Sequence, residues 1–213
     1  MKDLYLVGAG GCGREVLNMI LDMQAQYGPK WSIKGFLDDT DDPLKNKACD
    51  YGVVGTIRDY MPAPNDVLLM CIASPRAKQK LVPMLKERGA VFDSFVSPYA
   101  YMGRHNHIGE GAIVYAGFSM SVNVNIGNFV TLLNCSFGHD VSVGDYCTVS
   151  GNCGLMGHVK VGNGVFMGDS VRVAPHVEIG DNACVHIGSI VVRNVKPGTT
   201  VFGNPAREID SLY

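Results

Sequence analysis

The sequence predicts a two-part fold: a small α/β domain over residues 1–95 and an all-β solenoid over residues 96–213. In the first part, short apolar runs alternate with segments whose apolar residues recur every three or four positions, which indicates strands and helices. From residue 96 onward, an apolar residue falls on every sixth position instead. Neither a helix nor a half-buried strand produces a period of six, which is typical of a hexapeptide solenoid.

The first part contains four apolar runs and two amphipathic segments. Strands that alternate with helices favour a Rossmann-like parallel sheet whose ligand side lies at the carboxyl ends of the strands. The helices are predicted in REVLNMILDMQ and RAKQKLVPMLKERG. The strands are predicted, in chain order, in LYLVGAG, WSIKGFLDD, DVLLMCIAS and AVFDSFV.

The six-residue repeat begins at Val96, and every unit from there to Val191 starts with an apolar residue. The position four residues later is small or apolar nearly throughout, with Asn106 as the clear exception. Three units should close one triangular coil, so that coils stack about 4.8 Å apart and both positions face the interior. Glycine follows the apolar residue in 8 of the 17 units, which we interpret as corners that need a positive φ.

The repeat slips by one residue between Leu132 and Phe137, within LLNCSFGHDVSVGDY. A missing residue reshapes one corner and re-aims the residues that follow, as a bulge does in a sheet. The next outward-facing residues are His139 and Asp140. An imidazole beside a carboxylate suits a general base near neutral pH. A solvated corner with a turn-favouring Asp is the alternative interpretation.

The segment GAGGCG, residues 8–13, fits G-x-G-x-x-G between a predicted strand and a predicted helix. Such glycines let the backbone approach a diphosphate at a helix N-terminus, and an acidic residue after the next strand can bind a ribose hydroxyl. Asp38 and Asp39 occupy that position. The pattern predicts a nucleotide diphosphate ligand. NAD and a plain tight turn are the alternatives, and the domain is short for a full dinucleotide fold.

Composition excludes several function classes. A net charge of −2 gives no basic surface for nucleic acid or an anionic membrane. Because no apolar run could span a bilayer and no secretory signal is evident, we expect a cytoplasmic protein. The seven cysteines form no C-x-x-C pair and are expected to be reduced core thiols. Zinc at His158 and His176, which should stack on adjacent coils, is an alternative that would need a third ligand.

Four motifs together resemble one known family. They are the GAGG loop, the strand end FLDD, the unit NCSFGHD at the slip and the terminal VFGNPAR. In order and spacing they are similar to the bacterial sugar acetyltransferases with a left-handed β-helix. The branch they resemble N-acetylates nucleotide-linked amino sugars such as UDP-bacillosamine precursors and GDP-perosamine, with sialic-acid O-acetyltransferases nearby. The resemblance covers essentially the whole chain.

The resemblance implies a homotrimer of left-handed β-helices that uses acetyl-CoA as cosubstrate, needs no metal and forms its active sites between subunits. It implies His139 as general base, Asp140 as the partner carboxylate and Asn134 as a contact near the acceptor. Direct transfer to the sugar amine follows, with the Gly157 N–H stabilising the oxyanion. O-acetylation of a sugar or sialic acid, and a binding protein that has lost catalysis, are the alternatives.

The resemblance also implies binding positions. The nucleotide sugar would contact the glycine loop, the acidic strand end and the loop after the third strand, at Gly10, Gly11, Cys12, Asp38, Asp39 and Ser74. CoA would contact Thr148, Gly157, Asp169 and Ile187. Thr148 stands where the family often has a second His, and Ser74 stands where it commonly has a Gly-Asn-Asn loop, which leaves the identity of the sugar open.

Overall fold

The computed structural model of the 213-residue chain describes residues 1–210 as a four-stranded parallel sheet with two helices, followed by a three-sided parallel β-helix. This architecture confirms the predicted fold class. The elements of the first part are β1 (Lys2–Val7), α1 (Gly11–Tyr27), β2 (Trp31–Leu37), β3 (Val53–Gly55), β4 (Asp66–Met70) and α2 (Pro75–Glu87). Their sheet has the order β3-β2-β1-β4, so the glycine loop leaves an interior strand.

The glycine loop brings the N-terminus of α1 against the end of β1. A Cβ atom on Gly13 would lie 2.0 Å from the carbonyl oxygen of Gly8, and Gly8 itself has a φ of 100°. No larger residue fits either position without moving the backbone. The first turn of α1 therefore faces the carboxyl edge of the sheet, as the sequence predicts.

The last predicted α/β strand, AVFDSFV, forms differently. Phe92 makes a single bridge to Leu68 of β4, whereas Phe95–Val96 forms β5 and pairs with a strand of the β-helix. The division at residues 95 and 96 that we propose from the sequence therefore falls within a strand that already belongs to the repeat.

The coils of the β-helix contribute two-residue strands to three faces as far as Val191; the four-residue strands Thr200–Gly203 and Ala206–Ile209 follow as an antiparallel pair. The eight-stranded face contains β5 (Phe95–Val96), β8 (Ile113–Val114), β11 (Thr131–Leu132), β14 (Thr148–Val149), β17 (Phe166–Met167), β20 (Cys184–Val185), β22 (Thr200–Gly203) and β23 (Ala206–Ile209). The six-stranded face contains β6 (Tyr101–Met102), β9 (Ser119–Met120), β12 (Ser136–Phe137), β15 (Gly154–Leu155), β18 (Arg172–Val173) and β21 (Ile190–Val191). The five-stranded face contains β7 (His107–Ile108), β10 (Asn125–Ile126), β13 (Ser142–Val143), β16 (Lys160–Val161) and β19 (Glu178–Ile179).

The register confirms both the repeat and its slip. Every two-residue strand ends on a residue that the period of six predicts to face inward. Paired residues on adjacent coils from β5 to β21 are 18 positions apart, as in Ile113 with Thr131, except across the slip. Across the slip the spacing falls to 17, in the pairs Ser119 with Ser136, Asn125 with Ser142 and Thr131 with Thr148. At the last coil the repeat is left, and Cys184 pairs with Thr200.

The interior of the β-helix is apolar along its length, as predicted. Leu132, Val149 and Val185 are fully buried, and so are residues four positions after a strand end, such as Val130 and Val165. Burial of this kind stabilises a fold by about 25 cal/mol for each Å² of apolar surface removed from water. The stacked coils thus share one continuous core that the strands alone could not provide.

The glycines of the repeat serve a different purpose from the one predicted. The glycine that follows each strand lacks a positive φ; instead, a Cβ atom on Gly103 would lie 2.1 Å from the carbonyl oxygen of Ser121 in the next coil. Close approach between coils therefore explains these glycines. The left-handed corner residues come two positions later, and many are not glycine, among them Asn123, Asp140, Asn152, His158, His176 and Asn182.

A fully buried lysine joins the α/β part to the β-helix. The Lys78 side chain leaves α2 and donates from Nζ to the Thr148 hydroxyl (2.9 Å), the Cys147 carbonyl (2.8 Å) and the Thr131 hydroxyl (3.2 Å). The Thr148 hydroxyl in turn donates to the Ala73 carbonyl, 2.6 Å away. Burial lowers the pKa of Lys78 to about 7. The α/β part thus lies against the eight-stranded face of the β-helix.

Neither α1 nor α2 combines the length with the unbroken apolar character that a bilayer-crossing helix requires, so residues 1–210 offer no helical membrane span.

Candidate functional site

The imidazole of His139 and the carboxylate of Asp140 form a hydrogen-bonded pair at the corner that follows β12. His139 Nδ1 lies 2.7 Å from Asp140 Oδ2. Asp140 has the left-handed conformation of the equivalent corner residues in other coils, with φ of 59°. Asn123 on the preceding coil donates to the other carboxylate oxygen at 3.2 Å. The corner that follows the slip therefore carries a paired imidazole and carboxylate, as the sequence predicts.

The electrostatics of the pair define the tautomer of His139. Hydrogen bonds from His139 and then from Asn123 hold the pKa of Asp140 below its ordinary value. An ionised carboxylate can only accept hydrogen bonds, so the neutral imidazole must carry its proton on Nδ1. His139 Nε2 then presents a lone pair to solvent. This is the arrangement a general base requires.

Gly157 lies beneath the His139 ring on the next coil. A Cβ atom at this position would be 2.6 Å from Cε1 and 2.7 Å from Nε2 of His139, so only glycine leaves the ring in place. The backbone N–H of Gly157 has no hydrogen-bond acceptor within residues 1–210. The predicted oxyanion donor and the predicted base are thus neighbours.

A groove of about 820 Å³ runs along the six-stranded face from His139. One guanidinium, that of Arg172, lies across it, and a Cβ atom on Gly154 would be 2.6 Å from Arg172 Nη1. Arg172 was missed from the sequence, although its outward-facing strand position above a glycine could have indicated it. The walls are otherwise largely apolar, with accessible side chains from Met156, Ala174 and Ile190. Phe137, Leu155 and Val173 also border the groove, but their side chains are buried in the core of the β-helix.

A second cavity, of about 680 Å³, lies between α1 and the corner that precedes β12. Two predicted residues, Gly11 and Asn134, line it. A Cβ atom on Gly10 or Gly11 would meet no atom within 4 Å, so a ligand can approach the backbone here. Polar side chains that the sequence analysis missed also line it, namely Arg14, Glu15, Asn18 and Tyr115.

The other predicted nucleotide contacts surround this cavity less directly. Asp38 accepts hydrogen bonds from the N–H groups of Ala9 (2.7 Å) and Thr40 (2.8 Å), so it braces the glycine loop and also lines a hollow beside it. Asp39 is exposed and accepts from the Arg58 N–H at 2.9 Å. The Cys12 thiol is half-buried, and burial raises its pKa.

The six-stranded face separates the predicted acceptor and CoA contacts into two groups. We define its entry edge as the corners that precede β12, β15, β18 and β21, and its exit edge as the corners that follow them. His139 and Gly157 lie on the exit edge. The entry edge carries Asn134, Asp169 and the exposed Ile187, with Asn134 and Asp169 both adjacent to Gly151. One chain therefore does not bring Asn134 to His139.

Two of the predicted binding residues, Thr148 and Ser74, make contacts within the chain that account for them. Thr148 is 1% exposed on the eight-stranded face, where its hydroxyl binds Lys78 and Ala73, so the predicted contact with CoA is wrong. Ser74 is the N-cap of α2, where its hydroxyl accepts from the Ala77 N–H, and it lines a separate hollow with Arg76. A helix cap explains this serine without a substrate.

Neither Cys147 nor Cys135, the two cysteines near His139 in the sequence, suits a covalent route, because both are buried. Cys147 is fully buried, and burial raises its pKa to about 12. Burial also raises the pKa of Cys135. All seven cysteines are free thiols, and the predicted core location holds for four of them, Cys71, Cys135, Cys147 and Cys153.

A potential metal-binding group does occur at the exit edge. His139, Asp140 and His158 offer donor atoms within 4.8 Å of one another. His158 and His176 stack as predicted, with ring centroids 4.7 Å apart and planes at 10°.

Comparison with known proteins matches this arrangement. Residues 3–85 match the PglD N-terminal domain. Over 97% of its length, the chain is 27% identical to the GDP-perosamine N-acetyltransferase of Escherichia coli, covering 96% of that protein. The structure of WeeI from Acinetobacter baumannii AYE superposes with a TM-score of 0.85 at 25% identity, over 98% of this chain and all of that one.

A further solved structure shares the fold. It is a mutant perosamine N-acetyltransferase from Caulobacter crescentus in complex with CoA and GDP-perosamine, with a TM-score of 0.83 at 23% identity, over 99% of this chain and 98% of that one. The match to the first domain and the match along the whole chain agree with the motifs found in the sequence. The chain thus carries a PglD N-terminal domain and is, along nearly its whole length, a homologue of a GDP-perosamine N-acetyltransferase.

Proposed function

We propose that this protein transfers the acetyl group of acetyl-CoA to the amine of a nucleotide-linked amino sugar, in the cytoplasm, for surface-glycan biosynthesis. The observation that carries the proposal is the His139–Asp140 pair at the mouth of an apolar groove. Its support is the match along the whole chain to a protein named GDP-perosamine N-acetyltransferase.

The chemistry proposed is direct transfer. The amine nitrogen attacks the thioester carbonyl while His139 Nε2 accepts a proton from it, and Asp140 stabilises the imidazolium. The Gly157 N–H is placed to donate to the oxyanion of the tetrahedral intermediate. Collapse of that intermediate breaks the carbon–sulfur bond, and the imidazolium returns the proton to the CoA thiolate. The products are the N-acetyl sugar and CoA.

The two cavities suit the two substrates. The apolar groove on the six-stranded face fits the pantetheine arm of CoA, and Arg172 supplies a cation for its phosphates. The cavity beside α1 offers the Gly11 backbone to a diphosphate at a helix N-terminus. In this proposal the nucleotide binds in the cavity beside α1, and acyl transfer takes place in the groove on the six-stranded face.

A closed site needs a second copy of the chain. Asn134 and His139 flank β12 from opposite edges, and the cavities they line have different wall residues. A homotrimer of parallel β-helices would place the exit edge of one chain against the entry edge of the next. The sugar could then extend from the cavity of one copy to His139 of another.

The acceptor is tested with purified protein, acetyl-CoA and a panel of GDP-linked and UDP-linked sugars. Release of the CoA thiol should require a free amine on the sugar, and the matching hydroxyl sugar should be inert. Faster transfer to the hydroxyl sugar would favour O-acetylation instead. A protein that releases no thiol with any sugar, and whose melting temperature acetyl-CoA does not raise, would be a binding protein.

The shared site is tested by mixing two impaired variants, His139→Asn and Asn134→Leu, after denaturation and refolding together. Each should have little activity alone. Mixed trimers should recover about a quarter of wild-type turnover, because about one site in four combines an intact His139 with an intact Asn134 from its neighbour. Turnover that stays at the level of the separate variants would contradict a site shared between chains.

A further inference from the structure

A second imidazole approaches the Asp140 carboxylate from the next coil. His158 Nε2 lies 3.8 Å from Asp140 Oδ2, the same oxygen that lies 2.7 Å from His139 Nδ1. The backbone N–H of His158 donates to the backbone carbonyl of His139 at 3.0 Å. The two imidazole rings meet edge to face, with centroids 5.0 Å apart. The stacking of coils therefore holds three donor side chains together at one corner.

Their spacing is close to that of a zinc site. Zinc binds imidazole nitrogen and carboxylate oxygen at about 2.0–2.2 Å in a tetrahedron, which places donor atoms about 3.4 Å apart. The distances of 2.7 and 3.8 Å to Asp140 Oδ2 fall on either side of that value, and all three donor atoms lie within 4.8 Å. The two imidazoles are about half-exposed and the Asp140 carboxylate is 36% exposed, so small rotations can adjust them.

We propose that His139 Nδ1, Asp140 Oδ2 and His158 Nε2 bind a divalent zinc ion that inhibits the enzyme. Water would complete the tetrahedron, since the corner is open to solvent. Nothing in the proposed transfer reaction uses this ion. The ion would inhibit by occupying His139, the proposed general base. The inhibition therefore rests on the proposed function of His139, whereas zinc binding itself does not.

Inhibition follows from the tautomer of His139. In the metal-free pair, Nδ1 carries the proton and Nε2 carries the lone pair. A metal on Nδ1 requires the neutral ring to carry its proton on Nε2 instead. The nitrogen that should accept a proton from the sugar amine then becomes a donor. No proton is gained or lost overall, because the proton only moves between the two ring nitrogens.

The chain offers a matched control. His176 stacks on the far side of His158 and is not among the three donors within 4.8 Å. His158 and His176 have the same left-handed backbone, with φ of 62° and 61°. Asn123, Asn152 and Asn182 occupy equivalent corners elsewhere, so asparagine fits both positions. His158→Asn should remove one zinc-binding side chain. His176→Asn should remove only the ring that stacks on His158.

The experiment measures zinc binding by equilibrium dialysis and turnover against zinc concentration, for the wild type and both variants. Wild type and His176→Asn should each bind one more zinc per chain than His158→Asn, while the thiol background is common to all. The zinc concentration for half-inhibition, relative to each variant's own metal-free rate, should rise about tenfold or more in His158→Asn alone. A chelator should restore turnover.

Two results would overturn the zinc site: equal zinc binding by His158→Asn and the wild type, or equal sensitivity to inhibition. A failure of the proposed function is distinguishable. If His139→Asn loses the extra zinc yet turns over at the wild-type rate, the metal site stands and the general base is refuted.

Discussion

Two polar clusters on the β-helix, around Lys78 and around His139, differ in burial. The difference indicates that the first contributes to stability and the second to the proposed reaction. The Lys78 cluster lies between α2 and the eight-stranded face, with the ammonium fully buried among neutral oxygens. The His139 cluster lies at the exit edge of the six-stranded face, where the imidazole is 54% exposed. The first cluster is closed to any ligand and the second is open.

The two environments also act on the charged forms in opposite ways. Burial without a carboxylate partner disfavours the charged form of Lys78 and lowers its pKa. Hydrogen bonds at an exposed corner favour the charged form of Asp140 and lower the pKa of that carboxyl. We therefore expect substitutions in the open cluster to change turnover and substitutions in the closed cluster to change stability.

The largest effect should come from removing the base. His139→Asn keeps a hydrogen-bonding side chain but cannot accept a proton at this position, so turnover should fall about 10²- to 10⁴-fold. The melting temperature should stay near that of the wild type, because the ring is half-exposed. His107, exposed on the five-stranded face, supplies the control His107→Asn. Wild-type turnover in His139→Asn would refute the assignment.

A smaller loss should follow from displacing the base without removing it. The Cβ atom of Gly157→Ala would lie 2.6 Å from the His139 ring, so the ring must shift by several tenths of an ångström or more. Misplacement of about 1 Å can cost about 10²-fold in rate. Steady-state kinetics should show the loss in kcat. Gly52→Ala, whose Cβ meets no atom within 4 Å, should be silent. If Gly157→Ala and Gly52→Ala had equal kinetics, the space that Gly157 leaves for the His139 ring would not matter for turnover.

Much of this contrast was accessible from the sequence. The period of six identified the buried residues at the strand ends from Val114 to Val191, although Val96 at the start of the repeat is 38% exposed. The slip between Leu132 and Phe137 marked the corner that carries His139 and Asp140. The period and its slip are visible in the sequence because every coil needs an apolar residue at the same inward-facing position. The role of Gly103 and similar glycines was misread because a one-coil pattern does not show how close the next coil lies.

The residues that sequence reasoning misplaced depend on contacts between distant segments. Thr148 is an outward-facing residue of β14 that is buried because α2 covers its face, and Lys78 of that helix lies 70 positions away along the chain. From the sequence, Lys78 is one of several polar residues in an amphipathic helix, and its neighbours in the sequence do not indicate that it is fully buried. Arg172 and Arg14 line cavities whose walls come from several coils or from two domains. No single motif encodes such a wall.

The smallest expected effect, a pH dependence of stability, tests the closed cluster. Lys78 has a pKa of about 7 in the folded chain, against 10.5 ordinarily. Between these values the unfolded chain holds a proton that the folded chain lacks, so the free energy of unfolding should rise with pH by about 1.4 kcal/mol per pH unit from this group. Below pH 7 both states hold the proton, and the contribution of Lys78 to the slope should disappear.

Lys78→Met keeps the apolar stem and removes the titrating group, so it should abolish that slope without affecting the open cluster. The measurement compares melting temperatures of the wild type and Lys78→Met at pH 7, 8 and 9 and one protein concentration, because all other titrating groups cancel in the difference. The gap should move in favour of the wild type as pH rises, while kcat stays equal at each pH. A constant gap would mean that Lys78 stays charged when buried. A matching change in kcat would mean that the two clusters are coupled through β11 and β14, and the division between stability and chemistry would fail.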